Sequence, residues 1–163
     1  MKILHILNSI EFSGAEVMLG DAGEFFLQNG IESAILSTGK SIGPYADKLR
    51  ACGYVINHIP FEKSFRYFFQ LYRYLKENSY TVIHIHPERA YFYHAIVARM
   101  ATDAKIVRTY HDVFFQYGKL KKKIRRLQRF VARSVLHVTG IAVGDSVQQI
   151  ELREFSNPTV VVN

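Results

Sequence analysis

The chain has 163 residues, 48% of them apolar and 21% charged, the size and balance of one globular domain with enough apolar side chain for a core. It has no run of about 18 apolar residues that could span a membrane, and its single cysteine, Cys52, excludes an intrachain disulfide and suits a reducing cytoplasm. The net charge of +7 is concentrated: residues 116–133 carry eight Lys or Arg and no acid, and the remainder holds 13 basic against 14 acidic residues.

The apolar pattern alternates between short runs and helical periods. KILHIL (2–7) is a compact run expected to form a buried strand. His5 and Asn8 break it, and no small-residue cleavage site follows, so it is not a signal peptide. A turn through Ser13-Gly14-Ala15-Glu16 leads into a helix that stops at Asn29-Gly30, with Met18, Ala22, Phe25 and Phe26 on its expected core face. IESAILST (31–38) is a second strand. GPYADKLRAC is a short helix in which Cys52, next to Gly53, is a small packing residue, and YVINHIP (54–60) is a third strand. SFRYFFQLYRYLKEN (64–78) is a helix with a Ser64 N-cap and Phe65, Phe68, Phe69, Tyr72 and Leu75 near one face. TVIHIH (81–86) is a strand, 89–100 a helix, and KIVRTYH (105–111) a strand. A long amphipathic helix covers about 117–138, with Leu120, Ile124, Leu127, Val131 and Val135 as its expected core stripe. GIAVG (140–144), SVQQIELREF and TVVV (159–162) complete the alternation as strand, helix and strand. Strands alternating with helices predict an α/β, Rossmann-like, doubly wound and mostly parallel sheet of about seven strands.

In such a sheet ligands bind beyond the C-terminal ends of the strands. That rule selects Ser13 and Gly14 after the first strand, residues 60–63 after the third, and His86, Glu88 and Arg89 after the fourth. His111 and Asp112 follow the fifth, and Asp145 the sixth. The Ser13-Gly14 turn can admit an anion at the helix N-terminus or be an ordinary tight turn. It is not GxGxxG, which argues against a dinucleotide site. His84 and His86 share a strand face, but no nearby Cys or Asp-rich cluster completes a metal set, so no metal is expected. His111 can move a proton, hold a hydroxyl, or be a plain loop histidine. Lys119, Lys121, Lys122, Lys123, Arg125, Arg126 and Arg129 form either a solvated face or a surface for anionic lipid. Only Tyr117 and Phe130 accompany them, without the basic–aromatic interleaving of an RNA surface, so no nucleic acid is expected.

Taken in order, SGAE (13–16), NGIESAIL, TVIHIH, TYHD (109–112), VGDSV (143–147) and the terminal VVVN resemble the motifs of family-4 glycosyltransferases of the GT-B fold, along nearly the whole chain. Ser13 stands where the family has a first glycine, Thr81 for an acid, Gly144 for a serine and Asp145 for a glutamate. The resemblance implies that residues 1–163 are one Rossmann-like N-terminal domain, ending at the linker to a C-terminal donor-binding domain supplied in cis or as a separate chain. It implies retaining transfer of a hexosyl unit from a nucleotide sugar as co-substrate, with no metal or other cofactor. This half would hold the acceptor, a sugar on a lipid carrier, in bacterial surface polysaccharide or glycolipid synthesis at the inner face of the membrane. Gly14 would lie against the donor phosphate or the acceptor. His111 would hold the transferred sugar, and His86 and Asp145 would be lesser cleft residues. The isolated half would be inactive. The alternative from a different class is a non-catalytic Rossmann-like module that docks a partner protein or an RNA.

Overall fold

The computed structural model describes residues 1–111 and 118–162. Among the described residues seven strands and six helices alternate: β1 (Lys2–Leu7), α1 (Gly14–Gln28), β2 (Glu32–Ser37), α2 (Ala46–Ala51), β3 (Val55–His58), α3 (Phe65–Asn78), β4 (Val82–Ile85), α4 (Tyr91–Ala101), β5 (Lys105–Tyr110), α5 (Lys119–Ser134), β6 (Val138–Ala142), α6 (Asp145–Phe155) and β7 (Val160–Val161). The sheet order is β3-β2-β1-β4-β5-β6-β7, and every neighbouring pair is parallel. This is the doubly wound α/β fold expected from the alternation. The order reverses between β1 and β4, so a crevice opens there at the C-terminal rim.

Two apolar layers hold the sheet. Leu4, Ile6, Leu36, Ile83, Ile85 and Ile106 pack on one face against Tyr67, Leu71 and Leu75 of α3, Tyr91, Ala95 and Ala98 of α4, and Ala132 of α5. Tyr110 and Ala142 alternate onto that same face and meet Val147 of α6. On the other face Leu7 and Ile35 pack with Leu19 of α1 and Leu49 of α2. Burying side chains of this size contributes about 1.5–3 kcal/mol each.

Helix existence matches the sequence pattern, but three helices turn a different face inward. In α1 the buried residues are Glu16, Leu19 and Gly23, while Met18 and Phe25 are exposed. A Cβ at Gly23 would sit 2.7 Å from the Cys52 carbonyl oxygen. The helix approaches too closely there for a large side chain, so Met18 and Phe25 stay outside. In α3 the inward row is Tyr67, Leu71 and Leu75, with Phe68 and Tyr72 packed beside it as expected, while Phe65 and Phe69 are exposed. Tyr67 wins its place through a hydroxyl that meets His94 Nε2 at 2.8 Å. The Ser64 cap forms as expected, with Tyr67 N–H donating to its Oγ at 3.3 Å.

The largest departure is α5. Leu120, Ile124, Leu127 and Val135, expected inside, are 72%, 49%, 62% and 59% exposed, and the buried residues are Arg129 and Ala132. The buried Glu151 of α6 draws Arg129 inward, and the helix rotates with it. The helix also ends at Ser134 and not at 138, because His137 adopts φ 53° and β6 begins at Val138.

Candidate functional site

The rim crevice is built by close backbone approach. The loop after β2 crosses the loop after β1: Ile10 N–H donates to the Ile42 carbonyl at 2.7 Å, and Tyr45 N–H to the Ile10 carbonyl at 3.1 Å. Gly43 has φ 105°, and a Cβ there would lie 2.3 Å from the Ile10 carbonyl oxygen, so only glycine fits. This brace holds Asn8 and Ser9 at the mouth of the crevice.

Two adjoining cavities share Asn8 and Pro87. The smaller, about 410 Å³, is lined by Ser13, Gly14, Ala15, Glu16, His86 and His111. Ser13 precedes α1, and its hydroxyl donates to the Glu16 carboxylate. The first amide to return into the helix is Val17, to the Ser13 carbonyl at 3.0 Å, so the amides of Gly14, Ala15 and Glu16 lie ahead of the ladder. A Cβ at Gly14 would meet nothing within 4 Å, so packing does not demand this glycine. Its bare backbone leaves the positive end of the helix dipole open to the cavity.

The opposite wall is a row of imidazoles. His86 directly follows β4, and His111 stacks on it at 5.8 Å with an interplanar angle of 23°. His84 lies 4.0 Å from His86, and its Nε2 meets Thr109 Oγ1 at 2.6 Å. His5, in register with His84 on β1, brings its Nδ1 to 3.5 Å from His86 Nε2. Burial, and then the neighbouring imidazole, pushes His5 down to about 3 and His84 down to about 4. Burial, then His84, His5 and His111, holds His86 well below the usual histidine range. These three rings are neutral at physiological pH and can donate or accept a hydrogen bond without adding charge.

His5, His84 and His86 each offer a ring nitrogen within 4.8 Å of the others, so they are the described residues that could hold a metal ion. The sequence reading found the His84/His86 pair but missed His5, which only strand pairing brings beside them.

The larger cavity, about 910 Å³, is lined by Phe61, Lys63, Glu88, Arg89, Tyr93, Lys121, Ile124 and Arg125 among others. Beneath it lies a buried charge network that the sequence reading did not find. Arg108, fully buried in β5, pairs with Glu88, and its guanidinium lies between the rings of Tyr91 at 3.3 Å and Tyr110 at 4.2 Å. Arg129 forms two hydrogen bonds to Glu151 at 2.7 and 2.8 Å, and reaches Glu88 at 3.5 Å. Asn157 Nδ2 donates to Glu151 at 2.8 Å. The available signal was Arg108 itself, a cation in the middle of an apolar strand, which demands a buried partner.

Of the residues selected from sequence, Ser13, Gly14, His86 and His111 therefore meet in one cavity, and Glu88 lines its neighbour. Asp145 is exposed in the first turn of α6 and lines neither. Asp112 lies outside the described residues. Lys119, Lys121, Lys123 and Arg126 are exposed, Lys122 pairs with Glu154, and Arg125 is half-buried near Glu88. Arg129 is a correction. It is 3% exposed and ion-paired inside, so it is no part of a basic surface.

The fold has counterparts among solved structures. A glycosyltransferase from Rickettsia africae superposes with a TM-score of 0.73 at 17% identity, over 99% of this chain and 42% of that one. Anabaena Alr3699/HepE, solved with UDP and glucose, gives a TM-score of 0.70 at 17% identity, over 99% of this chain and 44% of its own. The chain thus spans less than half the length of either. No curated protein sequence matches it. The profile of Glycosyltransferase Family 4 matches residues 12–161. With more than half of its length matched, the chain belongs to glycosyltransferase family 4.

Proposed function

We propose that this chain is the acceptor-side half of a retaining glycosyltransferase that moves a hexosyl unit from a nucleotide sugar. The supporting observation is the smaller cavity, where the open N-terminus of α1 at Gly14 faces His86 and His111 across the β1/β4 crevice. A donor phosphate at the helix end and a sugar hydroxyl at His111 would be held on opposite walls. Catalysis would come from orientation and from stabilising charge on the departing phosphate. Ser13, His86 and Glu88 would position the acceptor. A second, donor-binding domain, in cis or as a separate chain, would close the crevice.

The acceptor would be a sugar on a lipid carrier, in bacterial surface polysaccharide or glycolipid synthesis. Lys119, Lys121, Lys123 and Arg126 on α5 would hold the cytoplasmic protein at the inner membrane face. The test is His111→Ala in the two-domain enzyme. Turnover should fall about tenfold or more, the scale of one lost oriented hydrogen bond near 1.4 kcal/mol, with thermal unfolding unchanged. Ordinary turnover in a folded variant would overturn the reading.

A further inference from the structure

The larger cavity is walled mainly by positive charge. Lys63 follows β3, Arg89 precedes α4, and Lys121 and Arg125 lie on α5, while the acid among its lining residues is Glu88. Glu88 is already outnumbered. It pairs with Arg108 and lies 3.5 Å from Arg129 and 4.0 Å from Arg125, and Glu151 offsets only Arg129. Arg108 Nε and Nη1 and Arg129 Nη1 are buried with no hydrogen-bond partner among the described residues. The buried cations Arg108 and Arg129 are matched by Glu88 and Glu151, so the positive excess belongs to the lining itself, where Lys63, Arg89, Lys121 and Arg125 focus a positive field on the cavity. Neutral sugar hydroxyls do not call for that field. A compact group with several negative oxygens does, and Arg forks with Lys point charges from three separate elements can surround it.

A second observation concerns the exit from the cavity. Ile124 lines it between Lys121 and Arg125, and with Leu120 and Leu127 forms an exposed stripe at spacings of four and three. The apolar path starts at the cationic wall and runs along the outside of α5.

We infer that this cavity is a phosphate site for the acceptor. Lys63, Arg89, Lys121 and Arg125 grip a mono- or diphosphate head, and the α5 stripe carries any hydrocarbon attached to it. The inference rests on the acceptor-side reading above and names the acceptor's chemical class.

Calorimetric titration of the 163-residue chain with pyrophosphate and with farnesyl diphosphate tests it. Both should bind, and Lys121→Gln with Arg125→Gln should weaken both about tenfold or more. Because Arg125 touches Glu88, the exposed pair Lys63→Gln with Lys121→Gln provides a second variant that leaves the buried network intact. Lys76→Gln with Lys105→Gln removes the same charge at the opposite end of the sheet and should change nothing. Tighter binding of farnesyl diphosphate, cancelled by Leu120→Ser with Leu127→Ser, assigns a lipid-linked phosphate. Equal affinities assign a soluble one, and both outcomes support the site. Absence of binding, or equal weakening by the distant pair, overturns it. The readout needs neither donor nor turnover, so it can fail while the His111 result stands, and the reverse.

Discussion

His94 is fully buried in α4, with its Nε2 on the Tyr67 hydroxyl and its Nδ1 without a partner among the described residues. Burial pushes it down to about 3. The folded-state value lies below the unfolded one, so its stabilising contribution is complete above about pH 6.5 and is lost as pH falls toward 3. At pH 4.5 that amounts to about 2–3 kcal/mol from this residue. The buried rings of His5, His84 and His86 act in the same direction. Chemical denaturation should show stability falling between pH 7 and 4.5, and His94→Gln should have a shallower slope. A stability that is flat over this range would contradict the buried, neutral assignment. Glu151 makes a second prediction at this scale. It is buried and holds Arg129 by two bonds, so Glu151→Ala strands a guanidinium and should cost about 3–5 kcal/mol. Replacing Arg129 and Glu151 together by Met and Leu should recover most of that loss, measured by urea unfolding. Equal losses in the single and double variants would show that the charge pairing is not the cause.

Among the elements, α5 departs most from its sequence pattern. An apolar stripe on an amphipathic helix normally marks the buried side. Here the stripe is outside, flanked by exposed Lys119, Lys123 and Arg126. Apolar side chains beside cations suit the interfacial zone of an anionic bilayer. Vesicle sedimentation should show binding to anionic vesicles and little to neutral ones, weakening as salt screens the charges. Lys119, Lys123 and Arg126, all changed to Gln, should lower binding about a hundredfold, at about 1 kcal/mol per basic residue. Leu120→Ser with Leu127→Ser should lower it while sparing the salt dependence. Equal binding to neutral and anionic vesicles would remove the electrostatic part of this account.

At the scale of the whole molecule, the chain spans 42% and 44% of the two solved structures it superposes on, and on the proposed reading it supplies one wall of a crevice. Transfer requires donor and acceptor to be held together. The 163-residue chain should unfold cooperatively yet show neither donor binding by calorimetry nor product with a panel of nucleotide sugars. Tight donor binding by this chain alone would place the whole donor site on this domain and remove the need for a second, donor-binding one.

Much of that frame was legible from the residues. Short runs such as KILHIL and KIVRTY, with β-branched residues and turn signals around them, read as strands, and the stops at Asn29-Gly30 and the cap at Ser64 act through local backbone chemistry. Handed crossovers then make the sheet doubly wound, and strand ends select Ser13, Gly14, His86 and His111 without any knowledge of side-chain contacts, while the strand order itself came from the folded structure. Local chemistry could not tell which face of α1, α3 or α5 turns inward. That depends on partners distant in sequence: Cys52 against Gly23, His94 against Tyr67, and Glu151 against Arg129. His5 joins the imidazole row for the same reason, since β1 and β4 are 79 residues apart along the strand pair that seats His5 beside His84. Periodicity along one chain segment records that a face is apolar, but the burial of a charge is decided by a counter-charge elsewhere, and only the folded molecule brings the two together.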